Sequence, residues 1–442
     1  MNSLFLRAGE VSEVSCGLGR FVTRSHERRH LLSEGVKFKK YPWDFNVFEI
    51  PFEPRTTSSG DWIHFTLWKK DLTTRDALAD ISKKTGISMK EWSVAGWKDK
   101  KAITTQRVSL RAELKVKLAS YQSNTLVRVS DVGNGQQLKA GHHSGNRFRI
   151  TLRNFPFAVS SDDFDTIEAL LHSVKDNGVF NYAGVQRFGA FGQAFRIGRH
   201  LIAERADLAV GSLLDPAMSP VGSTNRFVFE EWHRSRDAKQ AISHSSGKVR
   251  EMEYALLKRL ASDCRHDLNR AIRTTIPKEH RRFYMHAYGC FVWNRMVSQC
   301  GTEVGAELPI LGAGIEPGFF ASRGGRVLQS LLVEDGLLAA SEDLTSFCED
   351  LGPRLMLMAK MRPVLIVPEV FTWRWVAHQP GDIRDLWQPV GEGDALSLLL
   401  EFTLPADSFA TSVVREITGG LDASSIPNQK NAHELDVSGG VV

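Results

Sequence analysis

Leu396, Leu398, Leu400, Phe402 and Leu404 recur at every second position near the end of the chain. A period of two puts all five on one side of a strand, so that strand rests one face on a core. Gly145–Arg153, GNRFRITLR, carries the same period. Phe148, Ile150 and Leu152 share one face, and Arg147, Arg149, Thr151 and Arg153 the other, so parity alone makes Phe148 a core residue. Trp62–Trp68 reads as a further strand. Helical periods alternate with these strands. Leu72–Gly86 predicts a short helix with Thr74 as N-cap, Leu78 and Ile81 on one face and Gly86 as its stop. Ser161–Asn177 predicts another, with Phe164, Ile167, Leu170, Leu171 and Val174 buried and Gly178 ending it. At 442 residues the chain is longer than one core usually serves, and two domains are expected.

Composition narrows the class. Hydrophobic residues make up 42% and charged residues 24%, ordinary for a globular protein. No stretch is long and apolar enough to cross a bilayer, so no membrane partner is expected. The formal charge of +5 permits a polyanionic partner without demanding one. Cys16, Cys264, Cys290, Cys300 and Cys348 are scattered and odd in number, with no C-x-x-C pair, which suggests neither a disulfide framework nor a zinc site, and a reducing compartment. His142 and His143, adjacent in the Gly-rich loop Gly133–Ser144, lack nearby carboxylates or thiols and read as solvated, so no metal is expected.

Chemistry points to Val94–Leu110, VAGWKDKKAITTQRVSL. A small-residue turn at Ala95-Gly96 leads into Lys98-Asp99-Lys100-Lys101 and then into a strand-like Ala102–Thr105. A lone carboxylate among three ammonium groups is held ionised, as a nucleophile on a polyanionic substrate must be. By itself a K-D-K-K run is more often a solvated loop.

The string AGWKDKKAITTQ closely resembles the signature of the TruD-type pseudouridine synthases, whose catalytic residue is the Asp of A-G-x-K-D-K/R-x-A-x-T-x-Q. Four further stretches match in the same order. Val36–Ile50, VKFKKYPWDFNVFEI, resembles the motif K-x-x-P-E-D-F-x-V-x-E; Lys39 falls on the active-site lysine, and Trp43 stands where the family has Glu. Asn146 and Phe148 fall on the active-site pair of G-N-x-F-x-I. Gly178–Gly192 resembles G-V-P-N-Y-F-G-x-Q-R-F-G through Asn181, Tyr182, Gly184, Gln186, Arg187, Phe188 and Gly189, with Phe180 for Pro and Ala183 for Phe. Leu404–Ile417, LPADSFATSVVREI, matches the last motif and sets Phe409 on its active-site phenylalanine; Asp407 or Ser408 can cap the helix that follows, with Gly419-Gly420 stopping it.

The resemblance spans Val36 to Gly420 and implies an α+β fold, with a mixed-sheet pseudouridine synthase catalytic domain in two pieces, 36–177 and 367–420, and an inserted TRUD-type α/β domain, 178–366. Residues 1–35 form a basic arm or a targeting segment. Arg7, Arg20, Arg24, Arg28 and Arg29 fit a mitochondrial address, which Glu10 and Glu13 weaken, the alternatives being cytoplasm or nucleus. Residues 421–442 read as a flexible tail. Within the insert, Lys248–Arg273 carries seven cations, read either as the solvated face of amphipathic helices or as an RNA-facing surface.

The implied reaction isomerises a uridine in RNA to pseudouridine, in tRNA at position thirteen as the family's usual substrate and in other RNAs for some eukaryotic members, so tRNA is the expected partner, with ribosomal or other RNA as the alternative. The resemblance implies Asp99 as the catalytic nucleophile, acting at the sugar C1′ or the uracil ring, and Lys39 as the group that would hold it ionised. Asn146, Phe148, Phe409, Arg187 and Gln186 are implied to bind the substrate. No electrons or phosphates move, so neither cofactor nor metal is implied. A monomer, or a component of a ribonucleoprotein assembly, is expected. Two alternatives are a catalytically idle RNA-binding factor of the same fold acting on ribosomal RNA or in organelle ribosome assembly, and a hydrolase with Asp99 as acid/base; the latter lacks a second carboxylate in comparable context.

Overall fold

The computed structural model describes residues 16–22, 31, 35–52, 60–156, 161–189, 192–219, 222–243, 245, 251–262, 264 and 267–420. Arg7, Arg24, Arg28 and Arg29 of the basic arm, most of the turn before Trp62, Lys248, Arg250, Arg265 and the 421–442 tail lie outside them. The described residues fall into two compact units. One lies within Phe21–Asn181 and Leu365–Leu421, the other within Met1–Arg20 and Tyr182–Val364.

The first unit is built on a mixed sheet. Its long strands are β1 (Phe45–Pro51), β2 (Trp62–Lys70), β3 (Ile103–Arg111), β4 (Val127–Gly135), β5 (His143–Phe155), β6 (Glu369–His378) and β7 (Ala395–Pro405). Their order is β6-β7-β5-β1-β3-β2-β4, with Lys37–Phe38 pairing onto β5 and Ser93–Val94 onto β3. β1 and β3 run parallel; every other long neighbour is antiparallel. The register explains the two alternating patterns. Leu398, Leu400, Phe402 and Leu404 of β7 stand opposite Leu152, Ile150, Phe148 and Asn146 of β5, so the two apolar faces coincide. β5 precedes and β7 follows the stretch of chain that forms the second unit, which makes the sheet discontinuous in sequence.

Val47 pairs with both Phe148 and Thr104, so the inward residues of β5, β1 and β3 lie on one side of the sheet. That side carries two cores. One gathers the inward residues of β7, β5 and β1 with helices α2 (Asp162–Asn177) and α3 (Ala410–Thr418). The other gathers β2, β3 and the start of β4 with α1 (Thr74–Thr85). Each fully buried Leu, Ile or Phe contributes about 1.5–3 kcal/mol from area alone.

Local signals set the helix ends, with two corrections. Ser161 caps α2 by accepting from the Phe164 amide, and Gly86 ends α1 at a φ of 69°. The N-cap of α1 is Thr73, not Thr74: the Thr73 hydroxyl accepts from the Asp76 amide, and the Asp76 carboxylate accepts from the Thr73 amide. Thr74 is thereby free of capping and serves the site below. At α3 neither Asp407 nor Ser408 takes the cap place; Phe409 holds it, because Asp407 turns the chain at a φ of 59°. β4 carries few buried residues, which is why no strand is legible there in the sequence.

The second unit is mostly helical, with a two-stranded sheet of Glu307–Ile310 and Lys360–Pro363. Its axis is the 23-residue helix Lys278–Cys300, apolar on most sides and therefore buried on most sides. A Cβ at Gly198 would run into the Tyr284 carbonyl, so only glycine lets the helix Ala194–Ile202 cross so closely. Asn294 is fully buried; its amide donates to the Cys16 and Ala183 carbonyls and accepts from the Ala183 amide. The basic stretch divides into Glu251–Ala261 and Leu268–Thr275. Leu256, Leu257, Leu260, Ala271 and Ile272 face inward, and Lys258, Arg259, Arg270 and Arg273 are exposed.

Candidate active site

Lys39 follows the two-residue strand Lys37–Phe38 and takes a left-handed φ of 51°, a conformation that costs a non-glycine residue about 1–3 kcal/mol and clusters at functional sites. The turn Pro42–Asp44 fixes what comes next. The Asp44 carboxylate accepts from the Tyr41 amide and forms a buried ion pair with Arg153, at 2.7 Å. Trp43, which departs from the family motif, stacks on Tyr41 with ring centroids 5.1 Å apart. The kinked backbone sends the Lys39 side chain over the Phe45 ring, its ammonium 3.8 Å from the ring centre. There Lys39 Nζ donates to Asp99 Oδ2 at 2.5 Å. The Lys39 side chain is almost wholly buried, while that of Asp99 is 34% exposed.

The loop carrying Asp99 is tied down from several sides. Gln106 of β3 donates its amide to the Gly96 carbonyl at 2.9 Å and accepts from the Thr74 hydroxyl at 2.7 Å. That hydroxyl also accepts from the Lys98 amide at 3.0 Å. Lys69, fully buried at the end of β2, donates to the Asp99 and Leu72 carbonyls, each at 2.7 Å. A buried ammonium tolerates this place because those two carbonyls satisfy it.

The charge run is not a solvated loop. Lys98 turns down to the sheet, pairs with the buried Glu49 carboxylate at 2.9 Å and donates to Asn146 Oδ1 at 2.8 Å. Glu49 also accepts from the Arg107 amide. Asn146 is thus held on β5 directly across from Leu404. Its neighbour Gly145 is required: a Cβ there would run into the Leu404 carbonyl.

Burial by itself would raise the Asp99 pKa. The Lys39 charge and hydrogen bond, with the Lys69 and Lys98 charges behind them, outweigh it and hold the carboxyl below its ordinary value. The result is an ionised, part-exposed carboxylate on a loop held by hydrogen bonds with β2, β3 and α1, next to a buried lysine. Such a group can attack an electrophilic carbon or stabilise a developing cation.

Phe148 is nearly buried, its ring 6.0 Å from Phe45 and 5.5 Å from Phe402. It sits beneath the ring that carries Lys39, the place its strand parity requires. Phe409 is half-buried just beyond β7. Asn181, fully buried, donates to the carbonyl of Asp407 two residues before it. The structure therefore brings Lys39, Asp99 and Asn146 into one network, sets Phe148 behind it and puts Phe409 at the end of the paired strand. Gln186 and Arg187 belong to the second unit, in the turn Val185–Phe188. Arg187 lies near His286, whose pKa is pushed down to about 4 by burial and by the charges of Arg187 and Arg282.

Comparison with known proteins places the chain in a family. Residues 31–308 match the family model described as tRNA pseudouridine synthase D (TruD). The chain belongs to the TruD family of pseudouridine synthases. Enzymes of this family are isomerases acting on RNA, and this chain is one of them. It is 25% identical to the tRNA pseudouridine synthase D of Syntrophotalea carbinolica over 87% of this chain and 96% of that protein. It is 28% identical to the human pseudouridylate synthase 7 homolog, over 84% of this chain and 60% of that longer protein. The fold is that of the crystal structure of the TruD protein from Methanosarcina mazei, with a TM-score of 0.68, 20% identity and coverage of 93% and 98% of the two chains.

Lys69, Glu49 and Gln106 take part in this arrangement although reading residue types assigned them no role, while Thr74 read only as a helix cap and Lys98 only as one of three ammonium groups around Asp99. Glu49 and Gln106 stand at motif positions, which is a usable signal. Lys69, at the end of an ordinary amphipathic strand, gives none.

Proposed function

We propose that this enzyme converts a uridine in tRNA, of the position-13 type, to pseudouridine, with Asp99 as its nucleophile. The observation that carries the proposal is the contact between Lys39 Nζ and Asp99 Oδ2 at 2.5 Å, which keeps a part-exposed carboxylate ionised. The target base leaves its stack at a cost of a few kcal/mol. Asp99 acts at C1′ or on the uracil ring. The N1–C1′ bond breaks, the uracil turns, and C5 bonds to C1′ as the bond to Asp99 is released; the C5 hydrogen leaves as a proton and the freed N1 takes one up. Atoms and electrons balance within the nucleoside, and product and substrate are isomers. Phe409 and Phe148 shape the base and sugar pocket, Asn146 hydrogen-bonds the pyrimidine or the nearby backbone, and Gln186 and Arg187 contact the RNA. tRNA is proposed because the family model and the Syntrophotalea relative carry that substrate in their names.

Asp99→Asn is nearly isosteric. It is expected to abolish pseudouridine formation while RNA affinity stays within a few-fold. Turnover by the purified variant overturns the assignment of Asp99. Mapping pseudouridine in total RNA from cells with and without the enzyme tests the substrate. No site lost from tRNA, with a site lost elsewhere, overturns the tRNA reading; no site lost anywhere favours an RNA-binding factor without chemistry.

A further inference from the structure

The side of the sheet opposite the two cores and the Asp99 loop is lined by cations and aromatic rings in register. Arg147 of β5 stands across from Phe48 of β1, Phe48 from Thr105 of β3, Thr105 from Trp68 of β2, and Trp68 from Arg128 of β4. These five have the parity opposite to Phe148, Val47, Thr104, Leu67 and Val127, so they share the far side. With strands about 4.8 Å apart, the row runs about 19 Å. Its two cations lie over its two rings: the Arg147 guanidinium is 4.8 Å from the Phe48 centroid and that of Arg128 4.5 Å from Trp68. One step along β5, Arg149 adds a third guanidinium. The Arg147 and Arg149 side chains are 48% and 39% exposed, and both share the single carboxylate of Glu401.

We propose that this row is a second RNA contact, gripping the phosphodiester backbone and stacked bases of the substrate outside its target loop. This rests on the reading of the enzyme as one that acts on a large folded RNA. Charge complementarity selects the occupant. Three guanidiniums against one carboxylate attract a polyanion, and the half-buried rings of Phe48 and Trp68, each with a guanidinium stacked on it, offer bases a planar stacking surface that is tolerant of sequence. A guanidinium stacked on a ring is preorganised, so it loses little freedom on gripping a phosphate. Two faces of one sheet can be reached at once only by an RNA much longer than the target loop, and a short RNA should not register the far one.

The test is the double substitution Arg147→Gln/Arg128→Gln, made in the full chain and in an Asp99→Asn chain. Neither residue is part of the site described above. Affinity is measured against salt for a whole tRNA and for a hairpin containing only the target loop, with melting temperature as the check on folding. Each lost phosphate contact removes about 0.7–0.9 from the slope of log affinity on log salt, so the slope for the whole tRNA should fall by about 1.4–1.8. The Kd and KM for tRNA should rise several-fold with kcat unchanged, and the hairpin should bind as before. An unchanged slope and Kd for tRNA in a folded double variant overturns the proposal. So does an equal loss for tRNA and hairpin, or lost binding to phosphatidylserine vesicles with tRNA binding intact. Because binding is read apart from turnover, a wild-type chain that makes no pseudouridine, yet shows the slope change, would sink the Asp99 reading and leave this surface standing.

Discussion

Phe148 is where strand parity and family resemblance ask for different things, and its truncation can be worked from the structure. The ring is 6% exposed and packs between Phe45 and Phe402. Phe148→Ala removes its transfer free energy and leaves a cavity that the central strand β5, hydrogen-bonded on both sides, cannot close. The cost for such a site is about 3–5 kcal/mol. In a domain of this size each kcal/mol moves the melting temperature by about 2–4 °C, so a fall of about 6–20 °C is expected. Phe148→Leu keeps most of the volume and should cost less than about 1.5 kcal/mol. Thermal melting measures both variants, and release of tritium from uridine labelled at C5 measures single turnover. If Phe148 also offers its ring to the base, Phe148→Leu will melt near the wild type but lose rate, since stacking is worth about 1–3 kcal/mol per base. An alanine variant that melts within about 3 °C of the wild type refutes the core argument, because a buried ring cannot be removed so cheaply.

Lys39→Met should move the acid limb of the pH–rate profile upward, because it removes the strongest group opposing the burial of Asp99; an unmoved limb assigns it to another group. The native Asp99 pKa lies below its unfolded value, so the carboxylate stabilises the fold above about pH 3.9, and that contribution is lost as pH falls through the lowered value, which acid-unfolding curves of wild type and Asp99→Asn should show. Glu49→Leu strands the buried Lys98 ammonium and should cost about 3–5 kcal/mol, much of it recovered in Glu49→Leu/Lys98→Met, as chemical denaturation will report. Neutralising Lys258, Arg259, Arg270 and Arg273 should weaken binding alike for all RNA sequences and lower its salt dependence; no change in either makes that face an ordinary solvated one.

Much of the first unit is legible residue by residue. Period two marks β5 and β7 and tells which side of each is buried, because side chains alternate across a pleated strand whatever its partner. Gly86, Ser161 and Gly419 mark helix ends for equally local reasons, backbone conformation and a short side-chain hydrogen bond. The motif around Asp99 names the carboxylate and, through the family, Lys39. What no local rule reaches is which ammonium the carboxylate meets. Lys98, Lys100 and Lys101 surround Asp99 in sequence, yet the hydrogen-bonded partner is Lys39, sixty residues away, brought there because β1 and β3 lie side by side and parallel. Lys98, the adjacent residue, turns instead into the buried pair with Glu49, and Lys69 reaches the loop from β2. Loops have no period, and an ion pair depends on distance in space and on the water excluded around it. Both are properties of the assembled sheet rather than of any stretch of chain.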